Sequence, residues 1–416
     1  MFFFYQIFLT FLLLLAPLII ILRIFKGKED KKRYIEKFSI PTQKRASGSL
    51  IWFHGASVGE IMSIVPLLKN YEKYKSINQI LVTSSTLSSS KIIKKFKFKK
   101  TIHQFYPIDH FLFNYRFLKH WKPNLAIFIE SEIWPSMFIN LKKKNIPLIL
   151  LNARLTKKTF HKWMKIKDFS KSIFDKIDIA YPQNLETKSF LRKINVKKIK
   201  LIGNLKFIEN SQDNLDKIDK KHNLQLKKRK IWIASSTHKK EEIFCAKTHL
   251  ELKKKYKNIL TIIIPRHIHR AKEISEEIEK LNLKVAFHSS KLNKLNNIDV
   301  YIVDTFGETK KFHKISSSVF LGGSIINRGG QNPLEAARFG AKIFHGPDTS
   351  NFKDVYKLLK SLNSSIKINN PKQLASSIVF KKNKFIGNKI KKIGRKILKK
   401  TIKELDKQIQ NEFKKT

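Results

Sequence analysis

Short apolar runs alternate with stretches of helical periodicity along most of the chain. Runs of this kind are typical of strands buried on both faces, and apolar positions three and four residues apart are typical of helices that cover them. The run at 50–53, for example, precedes a stretch in which Ile61, Ile64 and Leu68 share one helical face. The predicted strands of the first half are 50–53, 79–83, 103–106, 125–129, 147–151, 179–181 and 200–202.

The same alternation starts again after a polar stretch at 208–230, which contains few large apolar residues and is predicted to be a linker. The strands predicted after it are 231–234, 260–264, 300–303, 318–321 and 341–344. Two βα-repeating halves predict an α/β protein with two Rossmann-like, doubly wound domains that face each other across a cleft. The predicted domains are 26–207 and 231–380, followed by a basic C-terminal helix at 381–416.

The first 25 residues predict a membrane anchor. Residues 2–22 are nearly all apolar and uncharged, and at about 1.5 Å per residue they just span a ~30 Å hydrocarbon core. The basic flank after them, from Arg23 to Arg33, places the rest of the chain in the cytoplasm by the positive-inside rule. The flank is also expected to attract anionic lipid headgroups. The alternative is a helix that lies in the interface or packs on the domain.

The charge of the chain is strongly positive. Lys and Arg number 85 against 32 Asp and Glu, a formal net charge of +53. This excess indicates a polyanionic partner, which means nucleic acid, an anionic membrane or a phosphorylated substrate. A lysine-rich coding bias would give the same surface. The single cysteine, Cys245, excludes an internal disulfide and fits a reducing compartment.

The segment HGASVGE, residues 54–60, joins a predicted strand to a predicted helix. Gly55 and Gly59 are expected at sites where a Cβ would clash, and Pro66 is expected to kink or restart the helix. Glu60 falls in the first helical turn, at the carboxyl edge of a sheet. It is therefore a candidate general base for a hydroxyl nucleophile, and the alternative is that it only caps the helix.

A glycine-rich segment, GGSIINRGGQNPLEAA at 322–337, follows the strand 318–321. Asn332 and Pro333 open a helix that carries Glu335, an arrangement that predicts an anion site with a carboxylate for ribose hydroxyls. The segment is not GxGxxG, so a dinucleotide site is disfavoured. Arg266 and 306–308 end other strands and are expected to line the same cleft, where an arginine suits a phosphate leaving group.

Glu130, Glu132 and Arg154 end strands of the first half, and Lys206 lies at the domain junction. Charged residues at such places indicate function, and the alternative is a salt-bridge network around the sheet. His238, His267 and His269 lack carboxylate or cysteine partners at ligand spacing, so no metal site is predicted.

Eight ordered motifs resemble those of the 3-deoxy-D-manno-octulosonic acid (Kdo) transferases of lipopolysaccharide biosynthesis, from the N-terminal apolar segment to about residue 352. The motifs are FHGASVGE, ESEIWP, LNARL, GNLKF, SSTHKKEE, PRHIHR, DTFGE and GGSIINRGGQNPLEAA. The resemblance implies the GT-B arrangement, an anchored N-terminus at the inner membrane and no cofactor or metal. It also implies inverting transfer of Kdo from CMP-Kdo to the lipid A precursor, lipid IVA.

The resemblance also assigns residues. It makes Glu60 the catalytic base and gives Glu130 and Lys206 a role in stabilising the transition state. Gly55, Lys240, Gln331 and Ala336 depart from residues that are common in the family, and two of these departures, Lys240 and Gln331, bear on contacts to the donor. The implied CMP-binding residues are Pro265, Arg266, Phe306, Gly307, Glu308, Asn332, Pro333, Leu334 and Glu335.

Two alternatives stay open at this stage. One is another two-domain glycosyltransferase that uses a UDP-sugar and a lipid acceptor. The other is a membrane-tethered nucleic-acid-binding protein, although the chain has no recurrent aromatic–basic module of the kind that stacks bases, and nucleic acid is not the expected partner.

Overall fold

The computed structural model describes residues 1–209, 225–226, 228–290, 295 and 297–414. They form two compact units, one of Met1–Ser211 with Gly394–Thr416 and the other of Gln212–Ile393. Each unit contains one parallel sheet with helices between its strands, so the prediction of two α/β domains is confirmed. Most of the predicted linker lies outside the described residues. The predicted domain boundaries and the cleft stay predictions.

The first unit has a six-stranded sheet in the order β3-β2-β1-β4-β5-β6, and every neighbouring pair is parallel. Because the chain moves outward in one direction from β1 and then in the other from β4, the carboxyl ends of β1 and β4 form a topological switch point, where such sheets bind ligands. The strands are β1 (Leu50–His54), β2 (Gln79–Ser84), β3 (Thr101–Phe105), β4 (Leu125–Ile129), β5 (Leu148–Ala153) and β6 (Ile179–Pro182).

Side-chain caps fix the starts of several helices in this unit. Ser57, Thr86, Thr156 and Asn184 each accept a hydrogen bond from the backbone N–H three residues later. The helices are α1 (Phe2–Phe25), α2 (Val58–Tyr71), α3 (Leu87–Lys95), α4 (Phe111–Trp121), α5 (Pro135–Lys143), α6 (Lys157–Met164), α7 (Lys167–Phe174) and α8 (Leu185–Lys193), with 3-10 turns at Tyr34–Phe38 and Leu205–Phe207.

The core of this sheet is aromatic. Trp52 on β1 is fully buried, and its ring centroid lies 4.9 Å from that of Phe117 on α4 and 5.1 Å from that of Phe128 on β4. Aromatic pairs at these separations add to the free energy gained by burying their area. The packing fixes β1 and β4 beside each other, and with them the switch point.

One prediction about this unit is wrong, and another is narrowed to one of its two alternatives. The predicted strand at 200–202 does not form, and the only pairing there is an isolated bridge between Ala180 and Ile199. The apolar pair Leu201 and Ile202 reflects local packing beyond the sheet edge. Helix α2 runs through Pro66 as one helix, so of the two effects expected of this proline the restart is excluded.

The second unit has a seven-stranded sheet in the order β13-β12-β11-β7-β8-β10-β9, again with parallel pairs, and its switch point lies between β7 and β11. Strands β9 and β13 were not predicted, because they are three residues long and border polar residues. The strands are β7 (Lys230–Thr237), β8 (Ile259–Pro265), β9 (Val285–Phe287), β10 (Val300–Ile302), β11 (Ser318–Leu321), β12 (Lys342–His345) and β13 (Ser365–Lys367).

The helices of the second unit are mostly short, and the last one continues into the first unit. The last helix confirms the predicted basic C-terminal helix. Within the first unit, its Glu404 pairs with Lys200 at 2.7 Å, and its Asp406 accepts a hydrogen bond from Tyr74 at 3.1 Å. The helices are α9 (Glu241–Lys253), α10 (Ala271–Glu279), α11 (Thr309–Ile315), α12 (Leu334–Arg338), α13 (Lys353–Ser361), α14 (Pro371–Ser377) and α15 (Lys384–Phe413).

Candidate active site

Glu60 lies where the sequence predicts it, in the first turn of α2 just beyond the carboxyl end of β1. Its carboxylate accepts hydrogen bonds from the backbone N–H of Ala56 at 2.7 Å and from the Ser57 hydroxyl at 2.9 Å. Ser57 in turn accepts a hydrogen bond from the Glu60 backbone N–H at 3.4 Å. This pattern is a variant of the capping box in which the carboxylate accepts from the residue before the N-cap, so Glu60 does cap the helix.

The surroundings of Glu60 also make it a weak acid. Burial and, after it, the nearby carboxylates of Glu132 and Glu130 together raise the pKa of Glu60 to about 7, against the opposing effect of the hydrogen bonds from Ser57 and Ala56. A carboxylate that only caps a helix works in its ionised form and does not need to be buried as Glu60 is. A carboxyl group that titrates near neutral pH can both take up and release a proton during catalysis.

The two glycines of this turn differ in their importance. A Cβ on Gly55 would lie 3.1 Å from the Cβ of Glu60, so glycine leaves space for that side chain. A Cβ on Gly59 would meet no neighbour closer than 4.0 Å, so the predicted clash at this position is wrong. The residue at 55 therefore bears directly on how Glu60 packs.

A chain of hydrogen bonds runs beneath Glu60 and ends on Glu132. The Trp52 indole donates to the Thr83 hydroxyl at 2.9 Å, and that hydroxyl lies 2.9 Å from Nδ1 of His54. Since the hydroxyl accepts from Trp52, its own proton is available to Nδ1, which leaves Nε2 of His54 protonated. Nε2 then donates to Glu132 at 3.2 Å, and the indole of Trp134 donates to the same oxygen at 2.9 Å.

His54 is neutral in this arrangement. It is fully buried, and burial lowers its pKa against the opposing effect of Glu132. A neutral imidazole does not cancel the charge of Glu132. The chain of hydrogen bonds therefore fixes the negatively charged Glu132 carboxylate in a place where it acts on Glu60.

Glu130 and Lys206, which the sequence places 76 residues apart, form an ion pair. Nζ of Lys206 lies 2.8 Å from Oε1 of Glu130, and the Glu130 side chain is 5% exposed. The Asn152 side chain donates to the same Glu130 oxygen at 3.4 Å and accepts a hydrogen bond from the Leu205 backbone N–H at 3.0 Å. Asn152 thus connects the end of β5 to the turn that carries Lys206.

Glu130 also has an uncommon backbone conformation, with φ of 59°, and Asn152 has φ of 53°. Residues other than glycine adopt this left-handed region at a cost, which for asparagine is small and for glutamate is larger. Strain of this kind concentrates at functional sites. The positive φ turns the Glu130 side chain toward Lys206 at the end of β4.

In the second unit, Glu241 holds together the loops after β7 and β11. Its Oε2 accepts the backbone N–H groups of His238 at 3.0 Å and Gly323 at 2.7 Å, while its Oε1 accepts those of Ser324 at 3.1 Å and Ile325 at 3.0 Å. Burial raises the pKa of Glu241, and the four N–H groups oppose that shift. The glycine-rich segment is therefore a rigid loop at the switch point.

Close packing explains one glycine in that loop. A Cβ on Gly322 would contact the Ser236 carbonyl oxygen and would lie 2.7 Å from the Thr237 Cα. Both are backbone atoms that cannot move away cheaply, so only glycine fits beside β7. The loop and the end of β7 form one surface as a result.

Arginine and histidine side chains gather beside this surface, and together we call them the basic cluster. Burial lowers the pKa of His238, and the positive charges of four neighbours lower it further. Nε2 of His238 is buried and, within the part of the chain that the structure describes, makes no hydrogen bond. A buried polar atom without a partner amid positive charge fits an anionic ligand. The basic cluster consists of His238, Arg266, His267, Arg270 and Arg328.

The predicted donor residues follow neighbouring strands at this edge. Pro265 ends β8, and the backbone N–H of Arg266 donates to the Thr237 carbonyl at 2.9 Å, which ties it to the end of β7. The Arg266 side chain is exposed. Phe306 and Gly307 lie in the loop after β10, where Phe306 is 82% exposed and Gly307 has φ of 89°. Arg266 thus belongs to the basic cluster, and Phe306 presents a free aromatic face.

The remaining predicted donor residues make local contacts. Glu308 pairs with Lys311 at 2.9 Å. Asn332 accepts a hydrogen bond from the Leu334 backbone N–H at 3.0 Å, and Pro333 precedes α12. Glu335 on that helix lies 3.7 Å from Nδ1 of His313, whose pKa burial lowers to about 3, so this histidine is neutral.

Comparison with known proteins decides the family. The family described as 3-Deoxy-D-manno-octulosonic-acid transferase (kdotransferase) matches residues 32–209. The 3-deoxy-D-manno-octulosonic acid transferase of Rickettsia bellii is 36% identical over 378 residues, which cover 90% of this chain and 89% of that protein. The protein of the same name from Haemophilus influenzae is 31% identical over 322 residues, 77% of this chain and 75% of its own length. The chain belongs to the Kdo transferase family.

A solved structure supports the fold of this Kdo transferase. A glycosyltransferase from Rickettsia africae matches with a TM-score of 0.55 over 88% of this chain and all of that chain, at 12% identity. At that identity the likeness concerns the fold alone, and it agrees with the predicted glycosyltransferase fold of two parallel-sheet domains. Membership of this family also shows that the protein is an enzyme, a glycosyltransferase, and excludes the alternative of a nucleic-acid-binding protein.

Sequence reasoning about this Kdo transferase missed several residues near the predicted site. It gave no role to His54 or His238, and it noted Glu132 and Glu241 only by their position. The signal for Glu241 was present, because an acidic residue follows SSTHKK at the start of a helix. Within residues 1–209, 225–226, 228–290, 295 and 297–414, no group of three histidine, cysteine or acidic residues is placed to hold a metal ion.

Proposed function

We propose that this protein is an inverting transferase that moves Kdo from CMP-Kdo to the lipid A precursor, lipid IVA. The observation that supports this most is a carboxyl group with a pKa of about 7 at the switch point of the first sheet. A hydroxyl nucleophile needs such a base near neutral pH. The membership of the chain in the Kdo transferase family supplies the sugar, and the donor and acceptor are part of the proposal.

In the proposed reaction, the Glu60 carboxylate takes the proton of a sugar hydroxyl on the acceptor. The hydroxyl oxygen attacks the anomeric carbon of Kdo from the side opposite the phosphate. The bond between that carbon and the phosphate oxygen breaks, and CMP leaves with the electron pair. One glycosidic bond replaces one glycosyl phosphate bond, and the proton stays on Glu60 until solvent removes it. Attack from the opposite side accounts for inversion.

The other predicted residues have roles that suit their chemistry. We assign Glu130 and Lys206 to stabilising the charge that develops in the transition state, and the second unit to binding the donor. The phosphate and the carboxylate of CMP-Kdo are both anions, which suits the basic cluster. The exposed ring of Phe306 suits stacking on a nucleobase. Glu308, Leu334 and Glu335, with Gly307, Asn332 and Pro333, complete the proposed donor site.

The decisive test is a direct assay of the product. Detergent-solubilised protein is incubated with CMP-Kdo and lipid IVA, and the lipid product is analysed by mass spectrometry. We expect the mass of lipid IVA to increase by one or more Kdo residues. If lipid IVA stays unmodified while a UDP-sugar is transferred to it, the proposed donor is wrong. The same spectrum reports how many Kdo residues are added.

The pH dependence of transfer should depend on Glu132. Replacing Glu132 with Gln removes the negative charge that raises the pKa of Glu60 most, so this pKa should fall. The rising limb of kcat/KM against pH, which requires ionised Glu60, should therefore move to lower pH. Glu186, an exposed glutamate in the first turn of α8, provides the matched control.

The comparison of these two variants isolates the charge effect. Glu186→Gln should leave the rising limb in place, and Glu132→Gln should move it even if the maximal rate falls. A profile for Glu132→Gln that coincides with that of the unmodified protein would show that Glu132 does not tune the base.

Donor binding should depend on Arg266. Replacing Arg266 with Ala removes a charge-assisted contact to phosphate, worth about 1.5–3 kcal/mol, so inhibition by CMP should weaken about 10- to 100-fold. The check is the inhibition constant of CMP, measured beside that of UDP. Arg192→Ala, at an exposed site on α8, should leave the constant unchanged. An unchanged constant for Arg266→Ala would remove this residue from the donor site.

A further inference from the structure

Helix α1 is covered along one side for its whole length. Among the described residues of the chain, it is the one helix apolar and long enough to cross a membrane, with a mean hydropathy of 2.8. Its covered positions nonetheless recur every three or four residues from its first turn to its last, as in a helix packed sideways on a protein surface. The buried or half-buried residues are Phe2, Tyr5, Gln6, Leu9, Leu13, Ala16, Ile20, Arg23 and Ile24.

The polar residues of α1 lie on or beside this covered side and bond to the first unit. The Tyr5 hydroxyl donates to Asp109 at 2.9 Å, and the Gln6 amide donates to the Ser136 hydroxyl at 2.6 Å. Gln6 also accepts the Phe111 backbone N–H at 3.0 Å. Polar side chains that would be unfavourable in a bilayer core thus dock α1 on the first unit.

The docking surface is itself rigid. Asp109 is fully buried and accepts the backbone N–H groups of Ser136 at 3.0 Å and Met137 at 3.0 Å, which begin α5. The Asn114 amide on α4 donates to it at 2.7 Å. One carboxylate therefore joins α1, α4 and α5. A helix held in this way does not separate from the unit without leaving buried polar groups unpaired.

The opposite side of α1 is a large exposed apolar surface. Soluble proteins rarely expose an apolar surface of this extent, because its burial in a lipid or protein partner is favourable. On the unit beside it, Leu112 and Tyr115 of α4 are also exposed. The exposed apolar residues of α1 include Phe3, Phe4, Phe8, Phe11, Leu14, Leu15, Leu18, Leu22 and Phe25.

Cationic residues accompany this surface. Nζ of Lys143 lies 4.9 Å from the ring centroid of Phe111, and Nζ of Lys144 lies 4.5 Å from that of Tyr115. Apolar side chains bordered by lysines match a bilayer with anionic headgroups. The apolar side chains can enter the boundary of the acyl region while the lysine ammonium groups stay at the lipid phosphates. A protein partner would need a comparable acidic and apolar surface, so the bilayer is the occupant that these residues favour.

We propose that α1 lies in the plane of the membrane interface, docked on the first unit, and does not cross the bilayer. A helix of 24 residues is about 36 Å long. Were α1 to cross while docked along that length, α4 and α5 would enter the hydrocarbon core with their lysines, at a cost of about 3 kcal/mol for each charge. This inference does not rest on the role of Glu60.

The topology of the N-terminus tests the proposal. A short hydrophilic tag with one cysteine is placed before Met1, and the full chain is made in a Gram-negative host. Intact and lysed spheroplasts are then treated with a maleimide that cannot cross membranes. We expect the tag to react only after lysis, because an in-plane helix leaves both of its ends on the same side as the domains. Reaction in intact spheroplasts would show that α1 crosses the bilayer and would overturn the proposal.

Two controls make the labelling interpretable. Cys245 is buried, so the untagged chain reports the background. Ser47→Cys, at an exposed position of the first unit, reports the side on which the domains lie. The tag and Ser47→Cys should react under the same conditions, and a difference between them would contradict the proposal.

A crosslink tests the docked geometry in the membrane. Gln6→Cys and Ser136→Cys replace two residues whose side chains are in contact, so a short bifunctional thiol reagent that spans the length of the lost glutamine side chain should join them in membranes. In a crossing helix, residue 6 would lie about 25 Å deeper than the last turn, beyond the reach of Ser136. Gln6→Cys paired with Ser47→Cys is the control that should stay uncrosslinked. Failure of the first pair to crosslink would refute the docked arrangement.

Discussion

Replacing Glu60 with Gln should lower kcat for Kdo transfer about 10²- to 10⁴-fold, the usual contribution of a general base. The amide has nearly the shape of the protonated carboxyl group: its oxygen can accept from the Ala56 N–H, and its NH2 group can donate to the Ser57 hydroxyl. It cannot take a proton from the acceptor. Transfer is measured with CMP-Kdo and lipid IVA, and CMP binding should be unchanged because Glu60 belongs to the first unit.

The pH dependence follows from the same carboxyl group. In the unmodified protein, activity should rise with pH through about 7, because only the ionised form of Glu60 accepts a proton. In Glu60→Gln, the small residual activity should lose this rising limb. Glu186→Gln changes a glutamate at a comparable position of α8, so this variant should have the normal rate and the normal rise of activity with pH.

Stability separates the base from a helix cap. A pKa that folding raises means that the contribution of Glu60 to stability is fully present below the unfolded pKa of about 4.5 and is lost as pH rises through about 7. At pH 8, Glu60→Gln should therefore be at least as stable as the unmodified protein. A variant that unfolds more easily but transfers Kdo normally would establish Glu60 as a cap and nothing more.

The strands with long apolar runs could be predicted from the sequence, because a strand buried on both faces needs consecutive apolar residues whatever its neighbours are. Strand β4 is an example, since all five of its residues are buried. The pattern fails where the sheet edge is polar or short. It missed β13 and assigned a strand to 200–202, because a short apolar run is compatible with either outcome until the neighbouring strand is known.

The individual site residues were predictable, but the contacts between them were not. Glu60, Glu130 and Lys206 come from local motifs, whereas the hydrogen-bond chain of His54 joins residues on β1, β2 and the loop after β4. Which strands are adjacent depends on the strand order of the sheet, and no local pattern encodes that order. The tuning of Glu60 by Glu132 therefore became visible only with the fold.

Helix α1 shows the opposite problem, in which a strong local signal leaves two placements open. Its hydropathy fits a membrane span and equally fits a helix embedded sideways in the interface. The difference lies in where Tyr5 and Gln6 point, and that depends on Asp109 and Ser136 more than 100 residues later. Tertiary contacts of this kind decide how an apolar helix meets a bilayer.

Replacing Lys206 with Met should destabilise the first unit by about 3 kcal/mol. The change leaves the Glu130 carboxylate, which is 5% exposed, without its cation, and an unpaired buried charge costs about 3–5 kcal/mol. Because the Lys206 side chain is partly exposed, water can replace part of its interaction with Glu130, so the expected loss of stability is at the lower end of this range. The free energy of unfolding is measured by denaturant titration and followed by tryptophan fluorescence, to which the buried Trp52 and Trp121 of this unit contribute.

The double variant Lys206→Met with Glu130→Gln separates stability from chemistry. Removing both charges also removes the cost of an unpaired one, so most of the lost stability should return. Transfer should nevertheless stay about 10²- to 10³-fold below normal, the usual loss when a group that stabilises transition-state charge is removed. Because the double variant is folded, its low activity cannot be attributed to unfolding. If it recovered full transfer together with stability, the pair would be a salt bridge at the edge of the sheet, and the charge stabilisation would have to come from other residues.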